Sequence, residues 1–213
     1  MIRAVIFDLD GTLADTETLH FDAFAEILRP RGIALDRDEY FARLIGFNDR
    51  DCFAAVLKRH GSAADDGLID ALVLKKAAVY QRAVAVRDVM YPGAEEFVRQ
   101  CAQRFPLIVA TGTLRAEAEM ILSRAGLRNL FLDIVAAEDV ERGKPEPDCF
   151  AAALGRLGFL LRQRDAIQPA ECMVIEDTVA GIESARAAAM RVVAVAHTTR
   201  ARDLSAADVV YES

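Results

Sequence analysis

The run Val5-Ile6-Phe7-Asp8-Leu9-Asp10-Gly11-Thr12 lies near the start of the chain. A short apolar stretch ends in two carboxylates, then Gly and Thr. In extended backbone, residues i and i+2 point to the same face, so Asp8 and Asp10 leave the strand end together. Two carboxylates that close resist joint ionisation unless a cation sits between them or one keeps a proton. Both arrangements suit phosphoryl transfer, in which one carboxylate attacks phosphorus and the other moves a proton. The plain alternative is a capped strand end with two surface aspartates. A calcium loop fits less well, because the EF-hand pattern places its Gly at the sixth position and here Gly11 directly follows the second Asp.

Outward from this run, the pattern turns helical after Thr12 and stays so to about Ala85. Phe24, Ile27 and Leu28 recur at helical spacing, and Gly32 stops that helix. Further helices are predicted over Arg37–Leu44, Asp49–Arg59 and Asp65–Ala85, the last with a stripe of Ile69, Leu72, Val73 and Tyr80. From Tyr91-Pro92-Gly93 onward, β-rich runs alternate with helices. The predicted strands are Leu107–Ala110, Ile134–Ala136, Met173–Ile175, Val192–Val195 and Val209–Tyr211. The predicted helices cover Ala94–Arg104, Leu114–Ala125, Pro147–Leu157 and Val179–Ala189. Such alternation defines an α/β protein whose parallel sheet is covered by helices on both faces.

Open α/β sheets bind ligands outside the carboxyl ends of their strands. The residues just past each predicted strand are therefore informative. After the first come Asp8 and Asp10. After the second come Thr111-Gly112-Thr113, read as opening a helix, where hydroxyls and free backbone N–H groups can cradle a phosphate or simply cap the helix. Beyond the third lies Gly143-Lys144-Pro145-Glu146-Pro147. Lys144 precedes a proline and so stays extended. It is either a solvated loop lysine or a positive charge held at the crevice. After the fourth come Glu176-Asp177-Thr178, an acidic pair that could equally cap a helix. For every plain alternative to hold, four coincidences must fall on one edge of one sheet.

Composition bounds the rest. The chain has 213 residues, 53% hydrophobic and 28% charged, with no Trp and a net charge of −7, which describes a globular protein with a real core. There is no Lys/Arg cluster to track a nucleic-acid backbone, and no apolar stretch long enough for a bilayer. Cys52, Cys101, Cys149 and Cys172 are scattered without a CxxC pair, as expected of buried free thiols in a reducing cytosol. The N-terminus runs straight into a strand and leaves no room for a signal peptide, so a cytoplasmic location is expected. An acidic surface with no obvious apolar patch is the expectation of a monomer.

The motifs resemble those of the haloacid dehalogenase superfamily, in the branch with a helical cap inserted after the first core strand. The Asp8–Thr12 run is similar to that superfamily's first motif. Thr111 matches the second motif, Lys144 the third and the Glu176-Asp177 pair the fourth. Asp15-Thr16-Glu17-Thr18-Leu19-His20 and Lys144-Pro145-Glu146-Pro147-Asp148 look most like the subgroup of β-phosphoglucomutases and phosphoglycolate phosphatase-like enzymes. The resemblance implies a Rossmann-like core over 1–14 and 88–213, with a small α-helical cap over 15–87 that sets specificity. It also implies a Mg²⁺-dependent phosphatase acting on a small phosphate ester, a sugar phosphate above all. Asp8 would be the nucleophile, forming an aspartyl-phosphate, and Asp10 the acid and base. Thr111 and Lys144, with backbone N–H groups near Leu9 and Thr113, would stabilise the phosphoryl group. Asp8, the Asp10 carbonyl and Asp177 would hold Mg²⁺, with Glu176 as a ligand or their partner. Dehalogenases of this superfamily lack the second aspartate, so Asp10 argues against dehalogenation.

The substrate-binding set that the resemblance implies is Thr16, His20, Gly46, Arg50, Lys76, Gly112 and Thr113. Lys76 falls on the apolar face of the long helix, where a lysine of β-phosphoglucomutases contacts substrate; a stem snorkelling at the stripe edge is the alternative. His20 resembles a histidine that couples cap closure to the general acid, or else is a half-exposed helix residue. Gly46-Phe47-Asn48-Asp49-Arg50 resembles the cap loop at the entrance. Mutases place there an arginine that grips a second phosphate, but this chain has Asp49, with Arg50 one residue late and turned by about 100°. Thr12 also matches phosphatases rather than mutases. The expected reaction is hydrolysis, with a β-phosphoglucomutase-type mutase as the alternative and a catalytically silent phosphate-binding module behind both.

Overall fold

The structure, a computed structural model, describes residues 1–161 and 166–212. Strands β1 (Ala4–Phe7), β2 (Leu107–Ala110), β3 (Phe131–Val135), β4 (Cys172–Glu176), β5 (Arg191–Val195) and β6 (Val209–Tyr211) form one sheet. Every pairing is parallel, in the order β3-β2-β1-β4-β5-β6. From β1 the chain builds outward to β3, then returns across the sheet to β4 on the other side of β1. The order reverses between β1 and β4, and in open α/β sheets the crevice at such a reversal is the ligand site.

Between β1 and β2 the chain forms four helices, α1 (Glu17–Leu28), α2 (Arg37–Arg43), α3 (Asp49–Arg59) and α4 (Asp66–Ala85), and then α5 (Ala94–Ala102). Three of the first four start on side-chain caps. Asp36 accepts from the Glu39 N–H at 2.8 Å, Asn48 from Asp51 at 2.8 Å, and Asp65 from Leu68 at 2.9 Å. Each cap satisfies an N–H that has no partner within its helix. Their apolar faces, among them Phe24, Tyr40, Phe53, Leu57 and Leu72, meet in a separate core. Two chain crossings join this helical unit to the sheet and run side by side: the Asp15 N–H donates to the Val89 carbonyl at 2.7 Å and the Tyr91 N–H to Leu13 at 3.0 Å.

Alternation along β1 divides the remaining core. Val5 and Phe7 pack with α5 and α6 (Arg115–Arg124). Ala4 and Ile6 pack on the other face with α7 (Asp148–Leu161) and α8 (Val179–Ala187). This is the α/β Rossmann-like architecture expected from the sequence.

Two expectations need correction. The strand predicted over 134–136 begins at Phe131, because the edge position leaves Leu132 exposed and hides the apolar run. An apolar patch does exist: Phe97, Phe105, Met173, Val193 and Tyr211 line a groove of about 440 Å³ on the α5 side of the sheet. Cys52, Cys149 and Cys172 are buried free thiols, and Cys101 is half-buried. No described helix is long and apolar enough to cross a membrane.

Candidate active site

The strand-end groups converge at the β1/β4 reversal. The Asp8 N–H donates to the Ile175 carbonyl at 3.0 Å, which fixes the end of β1 against β4. Lys144 Nζ donates to Asp8 Oδ1 and to Glu176 Oε1, both at 2.6 Å. With 6% exposure, Lys144 is no solvated loop lysine. Glu176 Oε2 accepts from the N–H of Asp177 at 2.7 Å, and from the N–H and hydroxyl of Thr178 at 2.8 and 3.0 Å. Asp177 accepts from Thr12 at 2.9 Å and closely from Thr198. Two glycines make room for this packing. A Cβ at Gly181 would collide with the Glu176 carboxylate and one at Gly11 with Asp177, and Gly11 has φ +76 besides.

Oxygens of Asp8, Glu176 and Asp177 lie within 4.8 Å of one another. Burial, then Glu176 and Asp8, pushes the Asp177 carboxyl well above the ordinary range. Burial likewise raises Asp8 to about 7, against the opposing pull of Lys144. A buried, all-oxygen set with three carboxylates and one ammonium is short of positive charge. Its donors are those a hard divalent cation prefers, so the residues fit Mg²⁺.

Asp10 is held differently. Its Oδ1 accepts from Thr16 at 2.6 Å, His20 Nε2 at 3.1 Å and Tyr80 at 3.3 Å, and its Oδ2 from Thr111 at 3.2 Å. Burial alone would raise its pKa, but His20, Thr16 and Lys76 together hold it below the usual carboxylate range. Thr16 stands at the N-cap of α1 without capping it, because its hydroxyl goes to Asp10. Lys76 Nζ reaches His20 Nδ1 at 2.6 Å and Asp49 Oδ1 at 2.7 Å. Burial, then Lys76, lowers the His20 pKa. The Lys76 ammonium donates to Nδ1, which leaves the ring proton on Nε2, facing Asp10. Lys76 is fully buried and His20 is 6% exposed, which excludes both the snorkelling stem and the half-exposed helix position.

The pocket over these groups is lined from both sides. The sheet supplies Asp8, Asp10, Thr111, Gly112, Thr113 and Lys144, and the helical unit supplies Glu17, His20, Gly46 and Asp49. Its free space is about 30 Å³, roughly one water molecule. The loop before α3 closes it, with Gly46 packed on Thr178 and Asn48 on the backbone of Gly112.

Some expected residues sit elsewhere. Arg50, one position past Asp49 on α3, is turned outward to Asp66 and Asp70 on α4 and does not line the pocket. Lys76 lies behind His20 and Asp49 rather than on the pocket wall. The helix after β2 begins at Arg115, so Thr111 and Thr113 precede it without capping it. The Thr113 N–H, expected to face a phosphate, instead donates to Thr111 Oγ1 at 3.1 Å. Glu17 was not foreseen. It lines the pocket, accepts from the Tyr40 hydroxyl at 3.2 Å, and is raised to about 8 by burial and then by Asp10 and Asp8. Its spacing of three from His20 on α1 was the available signal. Glu117 on α6, fully buried with both oxygens unpartnered among the described residues, carried none.

Comparisons with known proteins give the family. The family profile described as haloacid dehalogenase-like hydrolase matches residues 2–189. Protein CbbY of Rhodobacter capsulatus is 34% identical over 97% of this chain and 91% of its own length. Fructose-1-phosphate phosphatase YqaB of Escherichia coli is 34% identical over 90% of this chain and 95% of its own. The β-phosphoglucomutase of Bacillus subtilis is 30% identical over 91% and 83%. The chain belongs to the haloacid dehalogenase-like hydrolases.

Proposed function

We propose that the protein is a Mg²⁺-dependent phosphatase that hydrolyses a small phosphorylated metabolite, a sugar phosphate, with Asp8 as nucleophile. The carrying observation is the meeting of Asp8, Asp10, Lys144 and the Glu176-Asp177 pair in one buried pocket at the sheet's reversal point. An Asp8 oxygen bonds to phosphorus as the ester P–O bond breaks, and the leaving oxygen takes a proton from Asp10. In the second half Asp10 takes a proton from water, whose oxygen attacks phosphorus, and the bond to Asp8 breaks to release inorganic phosphate. Lys144 and Thr111 face the charge that develops on the phosphoryl oxygens. Asp8, the Asp10 carbonyl and Asp177 would hold Mg²⁺, with Glu176 orienting them, and the bound ion would offset repulsion between the phosphate and the carboxylates.

While the pocket is empty, four hydrogen bonds hold Asp10 as an ion. To act as an acid Asp10 must leave this set and take up a proton, from solvent or from the water cleaved in the preceding turnover, and the Lys76–His20 arm ties that release to movement of the helical unit, which serves as the cap over 15–87. The sugar-phosphate class is supported by the fructose-1-phosphate phosphatase relative. A mutase is the second reading, favoured by the tight closure, since a mutase must keep water from its phospho-aspartate. Against it, Arg50 is spent on Asp66 and Asp70, which leaves no arginine in the loop for a second phosphate.

Phosphorus NMR with Mg²⁺ and a panel of small esters, including β-glucose 1-phosphate with a trace of its bisphosphate, separates the two. Growth of inorganic phosphate, abolished in a folded Asp8→Asn variant by about 10⁴-fold or more, is the expected result. Interconversion of glucose phosphates with little free phosphate would make the protein a mutase. Full turnover by Asp8→Asn would overturn the mechanism.

A further inference from the structure

We propose that Asp49 selects the substrate: its free oxygen takes a hydroxyl or ammonium donor, and the pocket refuses a second anionic group. The inference rests on the phosphatase reading of this pocket and narrows its substrate class to monoesters whose remaining part is neutral or cationic.

Asp49 lines the pocket at 6% exposure. Its Oδ1 is taken by Lys76 at 2.7 Å, but its Oδ2 is buried with no partner among the described residues. A buried carboxylate oxygen left unpaired is costly, and an arriving donor relieves that cost. The same contact removes Lys76 as an anion receptor. Its ammonium is covered on the pocket side by Asp49 and feels the carboxyl of Glu117 as well. The rest of the cap end is Glu17, His20, Phe24, Tyr40, Gly46 and Phe47, with no lysine or arginine among them. Lys144 stands at the opposite, phosphate-binding end, held by Asp8 and Glu176. A second phosphate or a carboxylate at the cap end would therefore meet Asp49 without a free cation, and like-charge juxtaposition is strongly disfavoured. A sugar hydroxyl or an amine would find an acceptor waiting.

The test is phosphate release by the wild type and Asp49→Asn from matched esters at one pH, ionic strength and Mg²⁺ concentration. The pairs are fructose 1-phosphate with fructose 1,6-bisphosphate, and glucose 6-phosphate with glucosamine 6-phosphate. The wild type is expected to prefer the monophosphate of the first pair by at least about tenfold in kcat/KM, and to handle the amino sugar at least as well as its neutral partner. Asp49→Asn should shrink the first preference by about tenfold, chiefly through KM. Equal turnover of mono- and bisphosphate by the wild type overturns the proposal whether or not the variant folds. A variant that loses the same factor on every ester overturns it too, since that is the mark of a structural role. If the wild type releases phosphate from no monoester, the phosphatase reading falls first and takes this inference with it.

Discussion

Lys144 brings one positive charge to a set of three buried carboxylates, Asp8, Glu176 and Asp177. Burial opposes its charge, but contact with Asp8 and Glu176 reverses the balance and raises its pKa well above the lysine range. Lys144→Ala would leave the carboxylates with no countercharge. The expected loss is about 3–5 kcal/mol in metal-free urea unfolding, partly restored by Mg²⁺. An unchanged unfolding midpoint would show that the trio is neutral without its lysine. At this scale much of the site was legible. Asp8 and Asp10 share a face by strand periodicity, and Lys144 is kept extended by Pro145, so both could be placed from sequence alone. Glu117 could not. In Arg115-Ala116-Glu117-Ala118-Glu119 it reads as a solvated helix position, and only the packing of α4 on α6 buries it. Thr111 carried two readings, a cap or a site hydroxyl, and its hydroxyl goes to Asp10 rather than to a helix end.

Helix α6 belongs to the sheet and α4 to the helical unit, and Glu117 faces Lys76 where they meet. Lys76, Asp49 and Asp10 are the charged groups acting on it, but burial dominates and raises its pKa from 4.5 to about 8. The direction of that shift fixes the sign. The folded state keeps this proton up to about pH 8, while the unfolded chain gives it up near 4.5. The stability the group confers is therefore complete in acid and is lost as pH rises through that window. Urea unfolding of the wild type from about pH 5.5 to about pH 7.5, inside that window, should show stability falling with pH. Glu117→Gln should fall less steeply, by up to about 1.4 kcal/mol per pH unit. Identical slopes would mean that Glu117 is already ionised in the fold. Elements were easier to read than such contacts. Asp49–Arg59 and Leu107–Ala110 are found where the sequence places them, because caps and apolar runs are local signals. β3 was shortened, because an edge strand that exposes Leu132 and places the half-buried Asp133 beside it loses its apolar continuity.

The whole molecule is shut. Free space of about 30 Å³ cannot admit the sugar phosphate proposed as substrate, and on that reading the helical unit swings away before it enters. The two crossings at Leu13–Thr16 and Val86–Tyr91 are the available hinges, since they alone connect the two cores covalently. No sequence pattern reports such closure, because it arises from loops packing across a gap rather than from any one element. The contact itself offers the test. A Cβ built at Gly112 would lie 3.7 Å from the Asn48 Cβ, within the span of a disulfide. The native cysteines are buried or half-buried and should not compete. An Asn48→Cys/Gly112→Cys double variant should therefore lock the cap shut on oxidation. Its phosphate release should fall by more than about tenfold and recover when a thiol reductant reopens the bridge. Phosphate release at one rate in the oxidised and reduced forms, with the crosslink verified by mass spectrometry, would mean that substrate enters without opening and that the closed pocket is not the resting barrier it resembles.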